Sequence, residues 1–292
     1  MNTVVVGGAG FLGSHVADAL SARGHAVTIF DLKASPYASG TQRVVVGDIL
    51  DGQAVADVLR GADAVYHLAG IVDLDDAATK PLETVQQNIA GTVILLSEAV
   101  RAGVKRFVYA STVYVHSNLG GFYRCSKQAA ELYIEEYQRR SGLDYTILRY
   151  GTVYGPRANQ RNSIQRYLRQ ACTEDKITFN GTGEEMREYL HARDAARLSV
   201  DILGDAFRNQ HVIITGPHPM KTRDMLDMIQ EILNRSVTIE FAETRNDVHY
   251  TRTPYSFTPR IGNKLLSTSY VDMGQGLLEC LHEMVEAVGE PR

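Results

Sequence analysis

The stretch Thr3-Val-Val-Val6-Gly7-Gly-Ala-Gly10-Phe-Leu-Gly13-Ser-His15 decides how this chain folds. The valines read as a short buried strand, and the glycines after them open a helix at Phe11. Glycine is required there because the turn is tight, the backbone must approach a pyrophosphate, and the helix packs closely on the strand. Free N–H groups and a partial positive charge at that helix start favour phosphate. The spacing, GxxGxxG, departs from the commoner GxGxxG, so context must carry the reading. Asp31 supplies it at the end of the next apolar run, Ala26-Val-Thr-Ile-Phe30. A carboxylate there accepts hydrogen bonds from a ribose diol and repels a 2′-phosphate, which predicts NAD over NADP, with Lys33 close enough to soften the preference.

Working outward, apolar runs alternate with helical patterns. Arg43–Val46, Ala64–His67, Arg106–Tyr109 and Tyr145–Leu148 read as further strands. Phe11–Arg23, Gln53–Arg60, Leu82–Ala102 and Tyr123–Arg140 read as helices, the third with a stripe of Val85, Ile89, Val93 and Leu96 between Pro81 and Gly103. Continuous apolar strands alternating with helices predict an α/β fold, a Rossmann-type doubly wound parallel sheet. After Pro156 the texture changes to an Arg-, Asn- and Gln-rich segment and the loop Asn180–Gly183. His211–Thr215 reads as one more strand, and Thr222–Leu233 and Gly274–Val288 as helices. The predicted organisation is a dinucleotide-binding domain over 1–156, rejoined by 190–216, with a small α/β substrate-binding domain from 157–189 and 217–292.

Composition excludes several classes. The 292 residues hold 30 basic and 34 acidic side chains, a net charge of −4, so nothing points to nucleic acid or an anionic membrane as partner. Hydrophobic residues make up 44%, enough for a large core. Cys125, Cys172 and Cys280 are far apart, without a CxxC pair, so neither a disulfide framework nor a metal site is expected. With no leader or spanning run in view, the expected compartment is the cytoplasm.

Tyr123 and Lys127 stand four residues apart and share a helix face. A phenol ordinarily titrates near pH 10. A neighbouring ammonium makes it a usable base by stabilising the phenolate, and a nearby hydroxyl can hold the reacting oxygen. Here the pair follows Ser111-Thr112 at a strand end.

At this point the sequence resembles the extended short-chain dehydrogenases/reductases, in particular the NAD-dependent epimerase/dehydratase branch acting on nucleotide sugars. Gly7–His15 matches its opening glycine motif, Gly47-Asp48-Ile49 its adenine contact, and His67-Leu68-Ala69-Gly70 its HLAA segment, with glycine replacing alanine. Asn88 falls where the family has a structural asparagine. Ala110-Ser-Thr112 and Tyr123-Arg-Cys-Ser-Lys127 match its Ser/Thr–Tyr–Lys triad. Leu148–Pro156 is similar to its LRYxNVYGP turn and Arg187–Asp194 to its RDFxHVxD segment.

The resemblance implies Thr112, Tyr123 and Lys127 as catalytic residues. It implies Gly7, Gly10, Phe11, Leu12, Gly13, Asp31, Asp48, Ile49, Leu68, Ala69, Gly70 and Asn88 at the cofactor, together with Tyr123 and Lys127. Thr112, Tyr123, Thr152 and Arg187 are implied at the substrate, Arg187 on its diphosphate, where a guanidinium suits phosphate oxygens. Family members are often dimers through a four-helix contact, so a homodimer through Leu82–Ala102 and Tyr123–Arg140 is expected.

The expected function is NAD-dependent epimerisation of a nucleotide sugar, resembling UDP-glucose 4-epimerase. Alternatives are a nucleotide-sugar dehydratase, an NAD-dependent dehydrogenase or reductase, and a non-catalytic redox sensor. Resembling dehydratases place an Asp-Glu pair right after the triad threonine, and related decarboxylases keep a Glu there. Val113 and Tyr114 stand at those positions here, and only Glu184, Glu185 or Glu188 offer a substitute acid.

Overall fold

Six strands end in the region that holds the candidate site: β1 (Asn2–Val6), β2 (Ala26–Asp31), β3 (Arg43–Val46), β4 (Ala64–His67), β5 (Arg106–Thr112) and β6 (Tyr145–Tyr150). The computed structural model describes residues 1–233, 236–242, 249–254 and 263–288. Later strands are β7 (Thr152–Tyr154), β8 (Lys176–Asn180), β9 (Met186–Arg187), β10 (Tyr189–His191), β11 (Gln210–Ile214), β12 (Met220–Lys221), β13 (Thr238–Ala242) and β14 (Asn263–Lys264). The main sheet runs β14-β11-β6-β5-β4-β1-β2-β3, and every neighbouring pair is parallel. The order reverses between β1 and β4, and a crevice opens at the carboxyl ends of such strands.

Helices cover both faces. Val55, Leu95, Leu96 and Ile134 pack on one side, and Val16, Leu20, Ala195 and Leu198 on the other. Central positions such as Val5 and Val6 are fully buried, each contributing about 1.5–3 kcal/mol. Because both faces are covered, the strands carry apolar residues at consecutive positions instead of alternating.

The expected helix Leu82–Ala102 is not one α-helix. Pro81–Thr84 is α-helical, Val85–Ala90 is a π-turn, and Gly91–Ala102 is α-helical again, ending at Gly103 with φ +70°. The wider turn rotates the phase. Thr84, Asn88, Thr92, Leu95, Leu96 and Ala99 face inward, whereas Val85 of the expected stripe is 48% exposed. On this helix and its neighbour Gly121–Ser141, Leu82, Val85, Phe122, Leu132 and Tyr133 are exposed.

Beyond Pro156, Ile164, Leu168, Phe179, Met225 and Leu277 form a separate core from three helices and the β8–β13 pair. The chain returns to the main sheet through β11 and again through β14, which adds to its edge. The second return falls inside 217–292, the range expected to lie wholly in the smaller unit. His15 Nε2 meets the Pro156 carbonyl at 3.0 Å and Arg157 pairs with Asp18 at 2.7 Å, fixing the glycine helix to the segment leading into the second core. Among the described residues no helix is long and apolar enough to cross a membrane.

Candidate active site

Gly7 has φ +82°, and a Cβ there would lie 2.5 Å from the Ala69 nitrogen. A Cβ on Gly13 would stand 2.1 Å from the Gly7 carbonyl oxygen. No side chain is tolerated at either point, so the loop lies flat against the end of β4. Helix Phe11–Ala22 starts at Gly10 without a side-chain cap, which leaves its first amides available to an anion. Asp31 Oδ2 accepts from the Ala9 amide at 3.0 Å, so the carboxylate that ends β2 is oriented by the loop.

These groups bound a cavity of about 720 Å³ at the sheet's switch point. Gly7, Gly10, Phe11, Leu12, Gly13, Asp31, Ile49, Leu68, Ala69, Gly70, Tyr123 and Lys127 all lie on its wall. Two expected cofactor residues stand back from it. Asp48 Oδ1 accepts from the Leu50 amide at 2.9 Å and so closes the turn after β3. Asn88 is buried in the π-turn, accepting from the Ile71 amide (2.7 Å) and donating to the Ile71 carbonyl (2.8 Å) and Ser126 (2.9 Å). It shapes the wall by holding the segment after Gly70.

Thr112, at the end of β5, and Tyr123, in the first turn of helix Gly121–Ser141, stand where this cavity meets a second one of about 1220 Å³. Burial raises the Tyr123 phenol to about 12, while a hydrogen bond with Thr112 pulls the other way. Burial also lowers the Lys127 ammonium to about 8, against the pull of Glu131. Lys127 Nζ donates to the Ala110 carbonyl at 2.7 Å and lies 5.9 Å from the centre of the Tyr123 ring. Burial is the leading influence on both groups, raising the phenol and lowering the ammonium.

Thr152 and Arg187 line the larger cavity. Thr152 Oγ1 lies 3.4 Å from the Tyr250 hydroxyl, and the Arg187 guanidinium stacks 4.4 Å from the Tyr250 ring centre. Arg166 lines the same space, 5.3 Å from the Tyr167 ring. Neither Arg166 nor Arg187 has an ion-pair partner among the described residues. Arg161, at the junction, is paired with Asp76. Tyr114, which follows the triad threonine by two residues, meets His249 Nδ1 at 2.7 Å and packs 4.8 Å from Tyr250.

Carboxylates near this cavity are mostly engaged. Glu184 pairs with Lys221 at 2.7 Å, and Glu188 is buried beside Lys264 at 3.1 Å; neither is on the wall. Glu185 is on the wall, but its two oxygens accept from the amides of Thr182 (3.0 Å) and Gly183 (2.8 Å). Asp73 borders both cavities, with Oδ1 capping helix Leu74–Thr79. Among the described residues no group of His, Cys, Asp and Glu could hold a metal ion.

Sequence reasoning missed Glu131, Arg149, His249, Tyr250 and Asp73. Glu131 had a signal, standing four residues after Lys127. His249 and Tyr250 had none, since tertiary folding alone brings them to Tyr114.

The sequence matches the NAD dependent epimerase/dehydratase family over residues 3–215. The chain belongs to that family. NAD is therefore its dinucleotide, and the tight glycine turn, the uncapped helix start and the oriented Asp31 fit that cofactor. Among curated relatives, a UDP-N-acetyl-alpha-D-glucosaminuronate decarboxylase of Bacillus cytotoxicus is 27% identical, with 81% of each chain covered. A dTDP-glucose 4,6-dehydratase of Streptomyces antibioticus is 30% identical over 78% of this chain and 76% of that one. The crystal structure of UDP-glucuronic acid 4-epimerase from Bacillus cereus, in complex with UDP-glucuronic acid and NAD, superposes with a TM-score of 0.85 at 23% identity. It covers 98% of this chain and 100% of that one, a likeness of fold. In this member of the family Thr112 and Tyr123 border both cavities, Lys127 lies on the wall of the smaller one, and Val113 and Tyr114 follow the threonine.

Proposed function

We propose that the chain is an NAD-dependent nucleotide-sugar epimerase, resembling UDP-glucose 4-epimerase in its chemistry. One observation carries the reading. Thr112 and Tyr123 stand at the junction of the two cavities with Lys127 in the wall of the smaller one, and Val113 and Tyr114 follow where a dehydratase would need carboxylic acids. Glu184, Glu185 and Glu188 do not replace them, being engaged elsewhere.

When bound, NAD supplies a hydride acceptor and a positive charge. Tyr123 as phenolate takes the proton of the reacting sugar hydroxyl, and Thr112 hydrogen-bonds the same oxygen. Lys127 holds the phenolate and the cofactor ribose. Arg187 holds the diphosphate, supported by the guanidinium of Arg166 on the same wall. The keto sugar turns over in the roomy cavity, regains its hydride on the other face, and Tyr123 returns the proton, so the cofactor is restored in each cycle. The exposed apolar side chains Leu82, Val85, Phe122, Leu132 and Tyr133 support a homodimer through that face, at work in the cytoplasm.

A second reading has its own support in the decarboxylase relative. Oxidation of a sugar acid at the hydroxyl carbon β to its carboxylate gives a β-keto acid, which loses carbon dioxide without an extra base. Incubation with a panel of UDP-, GDP- and CDP-sugars, without added cofactor, separates the readings by product mass. Epimerisation leaves the mass unchanged and inverts one carbon. A product lighter by water or by carbon dioxide overturns the proposal.

A further inference from the structure

Behind the catalytic pair lies a buried charged network that the mechanism above does not use. Tyr123, Lys127 and Glu131 follow one another at four-residue steps along one face of helix Gly121–Ser141, all three buried. The Glu131 carboxylate is held from three sides. Arg149 Nη2 reaches Oε2 at 2.7 Å, Arg149 Nε reaches Oε1 at 3.1 Å, and the Ser111 hydroxyl donates to Oε1 at 2.5 Å. Arg149 comes from β6 and Ser111 from β5, so two strands fix one helical side chain.

The bracing continues outward. Arg149 also meets His211 Nδ1 at 2.7 Å and His116 Nε2 at 3.3 Å. A guanidinium only donates, so both imidazole nitrogens accept. On its other side His211 Nε2 faces Glu135 at 3.3 Å. The result is a chain of contacts from Glu135, near the surface, through His211 and Arg149 to Glu131.

We propose that Glu131, clamped by Arg149 and Ser111, is a positioning residue that supplies the counter-charge to Lys127 in the wall of the dinucleotide cavity. The proposal rests on the reading of Lys127 as the partner of the Tyr123 phenolate. Every group facing the ammonium points the same way. From β5 come the Ala110 carbonyl and the Tyr109 ring, whose centre lies 4.7 Å from Nζ. From β4 comes His67, held neutral by complete burial. From its own helix come Tyr123 and Glu131. Glu131 is the one anion among them. Burial drives Lys127 toward its neutral form and Glu131 opposes it. Without the carboxylate, Lys127 would keep the Ala110 carbonyl and the Tyr109 ring but no anion against its burial, would lose its proton at lower pH, and could no longer hold a phenolate.

The test is a proton titration of Lys127 itself in the NAD-loaded full chain. The Cε resonance of ¹³C-lysine-labelled protein reports it, assigned by its loss in Lys127→Met. Glu131→Gln should move the midpoint down by about 1–3 pH units, the range for losing an adjacent opposite charge. Glu131→Asp should recover part of the shift. Should Glu131→Gln fail to fold around an orphaned Arg149, the double variant Glu131→Gln, Arg149→Met removes both charges and should shift the midpoint the same way by less. An unchanged midpoint in whichever of these folds overturns the proposal, since a merely structural role would not move it. Turnover of nucleotide sugars is scored separately. A shifted midpoint without turnover keeps the Glu131 assignment and rejects the epimerase reading; turnover with an unshifted midpoint does the reverse.

Discussion

Tyr123 is a weak acid in a nearly dry place, and its neighbours decide whether it can serve as a base. Replacing it with Phe leaves the ring to pack and removes the only proposed proton acceptor. Turnover should fall about 10²–10⁴-fold with NAD still bound; near-normal rates in a steady-state assay would place the base elsewhere. Asp31 sets the cofactor preference at the same scale. Asp31→Ala removes the anion proposed to face the ribose and releases the Ala9 amide, so NAD affinity should drop by about 1–3 kcal/mol in calorimetric titration. Tighter binding of NADP than NAD by the unmodified chain would reverse that account. Most of these side chains were legible in the sequence because a tight turn, a strand end and an i,i+4 step each constrain the residue type locally. For Asp48 and Asn88 the local partners were not legible. Both are polar residues at conspicuous positions, and only the fold shows that backbone groups already use them.

At the scale of elements, the π-turn at Val85–Ala90 is what the sequence concealed. A stripe at 3.6-residue spacing assumes constant phase, and one widened turn breaks it without any change in composition. The gain is the inward placement of Asn88, which bridges the segment after β4 and helix Gly121–Ser141. Asn88→Ala leaves the Ile71 N–H and C=O without these partners. Denaturant unfolding should show a loss of about 1–3 kcal/mol, with NAD affinity weakened as the wall after Gly70 loosens. Unchanged stability would mean that Asn88 is a passenger. The strands were readable for a simpler reason: buried on both faces, they carry uninterrupted apolar runs, as at Val4–Val6 and Ala64–Tyr66. Their ends were less so, since β5 runs on to Thr112, past the expected Tyr109, through small polar residues of the site.

For the molecule as a whole, residues of the second core such as Tyr167 and Phe179 line the larger cavity, and Arg187 lies on the same wall. Arg187→Ala should raise KM for the nucleotide sugar well above any change in NAD affinity; equal losses of both ligands would signal a structural role. Acid should also destabilise the fold through its buried imidazoles. His67 is fully buried and pushed down to about 3 by desolvation. The unfolded chain takes up that proton below about pH 6.5 while the folded chain does not, so His67 lowers stability as pH falls from there toward 3. The expected slope is about 1.4 kcal/mol per pH unit. A His67→Gln variant should show a correspondingly shallower decline between pH 6 and 4 in unfolding titrations; an identical slope would mean the ring is protonated when folded.

The central claim is that the hydride leaves one carbon of a nucleotide sugar and returns to that same carbon. A nucleotide sugar deuterated at the carbon bearing the reacting hydroxyl, incubated with the chain and no added cofactor, reads this directly. The account predicts a product of unchanged mass, inverted at that carbon, with the deuterium still attached there. A product lighter by carbon dioxide, a product lighter by water with the deuterium moved to another carbon, or deuterium lost to the solvent would contradict it.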